Sequence, residues 1–152
     1  MDFEVSATNL AGLMKALEAD GSAAKVLSMV SASTQAILKM PHAQRWHPGA
    51  IAVEVWSAII DTFGAPRLEQ LNLLLTRQSF GPIVRPLVKV ALALGGNSPA
   101  TVLARLDDAI KVATRHVHVT WAASGPTAGT ITFEYPRAMP RTDVIEYGWR
   151  GA

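Results

Sequence analysis

The spacing of apolar residues changes once along this chain. Up to about residue 113 they recur every three or four positions, which is typical of one buried helix face. In 116–122 and 130–135 they alternate with polar residues, as in a half-buried β-strand. The pattern predicts one α+β domain over residues 1–152, with five to six helices followed by an antiparallel β-hairpin. A third short strand is an option at Val144, Ile145 and Tyr147.

Capping residues, glycines and prolines set the limits of the predicted helices. Thr8 or Asn9 is expected to cap the first helix. The second is expected to follow Ser22 as one unbroken apolar stripe and to stop at Pro41. The six predicted helices cover about 9–19, 23–40, 48–63, 66–78, 85–94 and 99–113, and the fifth either begins near Arg85 or is kinked there. The inward-facing residues predicted for the fourth helix are Leu68, Leu71, Leu74 and Leu75.

Alternation also sets the register of the hairpin, because a shift by one residue would move every apolar side chain to the other face. With Gly125 and Pro126 near the centre of the loop, a single parity keeps all the apolar side chains on one face. That parity predicts the pairs Val119–Phe133, Trp121–Ile131 and His118–Glu134.

Composition argues against several classes of protein. The chain has no cysteine, which removes disulfides, thiolate metal sites and cysteine nucleophiles and fits a reducing compartment. Its first residues carry acids where a secretory signal needs positive charge, so we expect a cytoplasmic protein. The longest apolar stretch, 83–94, contains Arg85 and Lys89 and falls short of the roughly 20 residues that span a bilayer, so no membrane insertion is expected. The net charge of +2 forms no basic face, so no nucleic-acid binding is expected.

The pair His116 and His118 is the sharpest candidate for chemistry. Residues two apart on a strand project side by side, and Glu134 across the hairpin would add a third ligand to a metal site. The solvated outer face of a half-buried hairpin would carry the same residues, and we prefer that interpretation. A metal-dependent enzyme is therefore the alternative. The preferred interpretation has no catalytic residue, no metal and no cofactor.

The connector before the third helix combines cations with an aromatic ring. His42 and His47 flank Arg45 and Trp46, an arrangement typical of a cationic, aromatic-lined recognition surface or of a haem-facing loop. In the plainer interpretation, which we favour, Trp46 packs at the entrance of the third helix and both histidines lie in solvent.

The chain is rich in apolar residues, with 49% hydrophobic and only 17% charged. Such an excess indicates that part of the helix surface is covered by another subunit or lines a ligand cavity. We therefore expect a homo-oligomer or a protein partner, with an apolar small molecule as the candidate ligand. The candidate cavity lies between the third and fifth helices and the inner face of the hairpin. Its predicted ligand-binding residues are Trp56, Ile60, Val119, Trp121 and Phe133.

Four segments of the second half carry a resemblance to a known family. They are 86–99, 105–113, 125–136 and 147–152, which read PLVKVALALGGNSP, RLDDAIKVA, GPTAGTITFEYP and YGWRGA. Mainly over residues 80–152, the chain resembles a paralogous domain family expanded in myxobacteria, of unknown function. That family is distantly similar to vinyl-reductase-like and haem-nitric-oxide-binding-like sensor domains, which mix helices with a small antiparallel sheet.

The resemblance implies that the chain binds a small molecule or a partner in signalling, with no active residues to carry over. The metal-binding cysteines of some sensor relatives are absent. The sequence ends at Ala152, where the resemblance leads us to expect a further helix, either supplied by a partner subunit or lost in a shortened copy. The resulting hypothesis is a non-enzymatic small-molecule-sensing or protein-interaction module in signalling or regulation. A metal-dependent enzyme and a structural adaptor are the alternatives.

Overall fold

Helices and two small antiparallel sheets form the part of the chain that the computed structural model describes. This part comprises residues 3–75, 86, 89–90, 93, 106–111, 113–125, 128–135, 141, 143–144 and 146. The helices are α1 (Ala7–Ala19), α2 (Ala23–Met29), α3 (Ala32–Lys39), α4 (Gly49–Phe63), α5 (Ala65–Leu75) and α6 (Leu106–Ile110). The strands are β1 (Glu4–Ser6), β2 (Trp46–Pro48), β3 (Thr114–Arg115), β4 (His118–Ala123) and β5 (Gly129–Glu134). The predicted α+β class is therefore confirmed.

The sheet β2-β1-β3 is a feature that the sequence pattern did not predict. Strand β1 lies in its centre and pairs antiparallel with both neighbours, so that Val5 is opposite His47 on one side and Thr114 on the other. All three strands have two or three residues, too few for an alternating pattern to be visible. This sheet joins the start of the chain, the connector before α4 and the segment after α6.

Helix α1 begins one or two residues before the predicted cap. Ser6 is its N-cap, and the Ser6 hydroxyl accepts a hydrogen bond from the Asn9 amide at 3.2 Å. Leu10, Leu13 and Leu17 lie on its buried face with no exposed surface. The expected end of the first helix near Ala19 is confirmed.

The predicted second helix is wrong in one respect, because the chain forms two helices there. The break falls at Val30, which is extended, and Ser31 then caps α3 by accepting the Thr34 amide at 3.3 Å. The Glu54 carboxylate of α4 accepts the Ser31 amide at 2.5 Å and the Ser31 hydroxyl at 3.1 Å. It also accepts the Thr34 hydroxyl. Glu54 of α4 thus stabilises the start of α3, although the apolar pattern of the sequence continues without a break from α2 into α3.

Helix α4 and the start of α5 follow the predicted limits closely, and the predicted end of α5 lies outside the described residues. Pro48 is the N-cap of α4, and Gly64, with a φ of 85°, separates α4 from α5. In α5 Leu68, Leu71 and Leu75 are buried as predicted. Leu74 is 41% exposed, so its predicted inward orientation is wrong. Leu74 follows Leu71 by three residues and lies at the edge of the face that α5 packs against α1 and α4.

One apolar core joins the helices to the strands. Helix α5 packs against α1 and α4, and α2 packs against both α1 and α4. The largest fully buried side chains are Phe3, Val5, Leu10, Leu13, Leu17, Val26, Val55, Ile59, Leu68, Leu71, Val117 and Val144. Phe3 packs so closely on Gly49 that no Cβ would fit there. No helix among the described residues is long and apolar enough to cross a membrane.

The β4–β5 hairpin has the predicted register. Its pairs include Val119–Phe133, Trp121–Ile131 and His118–Glu134, so this prediction is confirmed. The Asp107 carboxylate of α6 accepts the Val119 amide at 2.9 Å and so joins that helix to β4. Near the turn, the indole of Trp121 covers Gly129, where no Cβ would fit.

Two predictions concern later parts of the chain. Asp143, Val144 and Glu146 are helical, so the optional third strand at Val144 is wrong, and the side chain of Val144 is instead buried in the core. Ile145 and Tyr147 lie outside the described residues. Of the predicted fifth helix, Pro86, Lys89, Val90 and Ala93 are helical and exposed. Its other residues and the first part of the predicted sixth helix lie outside the described residues.

Candidate ligand-binding pocket

A pocket of about 510 Å³ opens on the surface at the N-terminus of α1. Three segments that are distant in sequence contribute to it: the start of α1, the connector before β2 and the residue after α6. Its lining residues are Ser6, Ala7, Thr8, His42, Gln44, Arg45, Trp46 and Lys111. We call it the α1 pocket.

Backbone hydrogen bonds hold the three segments together. The Ser6 amide donates to the Ala113 carbonyl at 2.8 Å, and the Ala7 amide donates to the Arg45 carbonyl at 3.0 Å. His47 is 3% exposed, and its Nε2 is 2.7 Å from the Pro41 carbonyl, which fastens the 3-10 turn Pro41–Ala43 to β2. The walls of the pocket are therefore fixed by main-chain contacts.

Several polar groups of the α1 pocket are unpaired. The side chains of His42 and Arg45 are exposed and form no hydrogen bond or ion pair with the described residues. The first amides of a helix have no partner within the helix. That of Asn9 is taken by the Ser6 hydroxyl, whereas the amide of Thr8 has no acceptor in the described part of the chain.

Lys111 contributes an amine that is paired with two carboxylates outside the lining. Its Nζ is 2.6 Å from the Asp107 carboxylate and 3.9 Å from that of Asp108. The hydrogen bond to Asp107 raises the pKa of Lys111, so the amine stays protonated. The same bond, with that from the Val119 amide, lowers the pKa of Asp107.

Trp46 provides the aromatic wall and an unpaired donor. The Arg115 guanidinium lies 4.2 Å from the centroid of the Trp46 ring, a cation–π contact, and is 3.7 Å from the Glu4 carboxylate. The Trp46 Nε1 is shielded from solvent and has no hydrogen-bond partner among the residues that the structure describes. A buried donor without a partner costs about 1–3 kcal/mol.

The five predicted ligand-binding residues lie elsewhere, and none lines the α1 pocket. Trp56 and Val119 are 4% exposed and belong to the core, and Ile60 and Phe133 pack against it. Trp121 is half-buried over Gly129, and its Nε1 is also buried without a partner among the described residues. A cavity between these five residues stays a prediction.

The predicted side-by-side arrangement of His116 and His118 is not formed. His116 has a φ of 62°, precedes β4, and has its Nε2 3.8 Å from the Glu4 carboxylate. His118 lies in β4 opposite Glu134, with its Nδ1 3.8 Å from the Asp107 carboxylate. The two rings therefore face different acids, because the backbone turns between them. Within the described ranges, no group of three or more histidine, aspartate and glutamate residues could hold a metal ion.

The two interpretations of the connector before α4 each agree with the structure in part. His42, Arg45 and Trp46 lie together in the α1 pocket, as a cationic, aromatic-lined surface requires. His47 is buried and bonded to a carbonyl rather than solvated. Thr8 and Lys111 were not predicted as pocket residues, because only the unpredicted sheet brings them to the connector. Searches against family models, curated proteins and solved structures found no match to this chain.

Proposed function

We propose that this chain is a non-enzymatic module that binds a small molecule in the α1 pocket and acts in cytoplasmic signalling or regulation. The volume of about 510 Å³ lies within the roughly 300–1,000 Å³ common for small-molecule sites. The observation that carries the proposal is the pocket itself, whose three segments are held together by main-chain hydrogen bonds and in which the Thr8 amide has no acceptor among the described residues. The resemblance to a myxobacterial family distantly similar to sensor domains belongs to this proposal.

The α1 pocket replaces the apolar cavity inferred from the sequence as the leading site. Trp56 and Val119 are too well buried in the core for a ligand to reach them without rearrangement. The α1 pocket, in contrast, is open and has polar groups ready to interact. Its walls also come from segments that the fold holds rigidly, which reduces the entropy cost of binding.

Self-association is the second part of the proposal. Several large apolar side chains are between 38% and 68% exposed, which matches the apolar excess of the composition. They are Met29, Met40, Phe63, Leu73, Leu74, Val90 and Ile131. Sedimentation velocity is the test, and we expect a species larger than the 16.2 kDa monomer at high concentration. A clean monomer over the whole concentration range would remove this part and leave small-molecule binding untouched.

Ligand binding is tested by a fragment screen that reads the Trp46 indole N–H by ¹H–¹⁵N NMR. The chain has four tryptophans, so a Trp46→Phe variant identifies the resonance. Thr8→Phe is designed to fill the pocket from an exposed position, and Thr120→Phe, at an exposed position of β4, is the matched control.

We expect fragments that shift the Trp46 resonance in a saturable way in the wild type and in Thr120→Phe but not in Thr8→Phe. A screen in which no fragment shifts that resonance would refute the proposed function. Shifts that Thr8→Phe leaves unchanged would place binding elsewhere and would refute the assignment to this pocket.

A further inference from the structure

We propose that the α1 pocket selects small organic oxyanions, carboxylates or phosphates, over neutral molecules of the same shape. This inference rests on the proposed function and adds the chemical class of the ligand. Its basis is the unpaired guanidinium of Arg45 in the lining of the pocket.

The lining of the pocket holds an unpaired cation and no acid. Arg45 and Lys111 are its cations, and none of the eight lining residues is an aspartate or glutamate. The charge of Lys111 is shared with Asp107 and Asp108, which lie outside the lining, whereas Arg45 forms no ion pair with the described residues. An anion in the pocket would therefore pair with Arg45.

Arg45 is the residue best suited to hold the anion. It is exposed and forms no ion pair with any described residue. Its backbone carbonyl is held by the Ala7 amide, so the position of the residue is fixed while its guanidinium is unused. A planar guanidinium matches the two oxygens of a carboxylate or phosphate, and such charge-assisted pairs are about twice as strong as neutral hydrogen bonds.

A backbone donor adds to this charge. Thr8 lies in the first turn of a 13-residue helix, whose positive end attracts anions, and its amide has no acceptor among the described residues. A negatively charged oxygen would therefore meet a cation and a backbone N–H group, whereas a neutral ligand would leave the cation unpaired.

The test compares three probes of similar shape: benzoate, phenyl phosphate and the neutral benzamide. Each is titrated into the full chain while the Trp46 indole resonance is followed. Arg45→Gln removes the proposed anchor. Arg67→Gln is the matched control, because Arg67 pairs with Asp20 at the opposite end of α1, about 20 Å away for a helix of this length.

We expect at least one of the two anions to bind about tenfold more tightly than benzamide, and the stronger one identifies the anion class. Arg45→Gln should weaken that anion about tenfold and leave benzamide within twofold, whereas Arg67→Gln should change neither. High salt should weaken the anion selectively. Equal affinities for all three probes, or an anion affinity unchanged by Arg45→Gln, would overturn the inference.

The two proposals fail in different ways. If the fragment screen finds ligands that Thr8→Phe excludes, but neither anion binds better than benzamide, the pocket is a binding site without anion selectivity. The present inference is then wrong, and the proposed function stands. If no probe and no fragment reaches Trp46, the proposed function itself is wrong.

Discussion

Replacing Glu54 by glutamine should destabilise the fold in a way that depends on pH. The Glu54 carboxylate accepts hydrogen bonds from the Ser31 amide, the Ser31 hydroxyl and the Thr34 hydroxyl at the start of α3. Hydrogen bonds to a charged group contribute about 1.5–3 kcal/mol. The amide oxygen of glutamine keeps one acceptor, and the site is partly exposed, so we expect a loss of about 1–2 kcal/mol in the free energy of unfolding. For a domain of this size this lowers Tm by about 3–6 °C.

The sign of the pH dependence follows from the pKa of Glu54. Burial raises this pKa, but the hydrogen bonds from Thr34 and Ser31 outweigh burial and leave it below the usual value of 4.5. A carboxyl with a lowered pKa in the folded state stabilises the fold fully above 4.5, and the stabilisation is lost as pH falls through the folded-state value. The difference in stability between wild type and Glu54→Gln should therefore be largest at neutral pH and should shrink below pH 4.5.

Urea unfolding followed by circular dichroism, at neutral pH and at a series of values below 4.5, measures this difference. Glu18→Gln is the control, because Glu18 is exposed at the end of α1 and should give less than about 0.5 kcal/mol at any pH. A Glu54→Gln variant as stable as the wild type at neutral pH, or a loss that does not change with pH, would refute the reasoning.

Three further changes test the packing. Asp107→Asn weakens the acceptor that joins α6 to β4, so it should lower the free energy of unfolding by about 1–2 kcal/mol and speed amide hydrogen exchange in the hairpin more than in α1. Equal acceleration of exchange in the hairpin and in α1 would contradict this. Leu68→Ala should cost about 2–5 kcal/mol in urea unfolding, and Leu74→Ala less than about 1 because Leu74 is 41% exposed; equal losses would contradict the orientation of α5. Gly129→Val should displace the Trp121 indole and change its fluorescence, and an unchanged spectrum would contradict the close contact.

The parts of the fold that the sequence predicted are those with a long local signal. The hairpin register follows from two six-residue strands, in which parity alone separates Val119 and Trp121 from the polar face. Between α2 and α3, Ser31 is a residue type that favours a helix start, but the apolar stripe continues through the break. The carboxylate that stabilises the break comes from Glu54 on another helix. Tertiary contact therefore decides a boundary that periodicity places elsewhere.

The pocket was harder to predict than the fold, for a related reason. The connector was recognised as cationic and aromatic from His42, Arg45 and Trp46, which are neighbours in sequence. Thr8 and Lys111 join them through strands β1 and β3, which have two or three residues each and leave no periodic pattern. A site assembled by such short pairings has no signature in a single sequence.

The central position of β1 has a consequence for biosynthesis. β1 is synthesised before its partner β3, and helices α1 to α6 are made between them. During translation one edge of β1 therefore stays unpaired until β3 has been made, and Lys111 reaches its place beside α1 only at that stage. The pocket can close only after all these elements have been synthesised, so an occupied pocket would report that they have assembled.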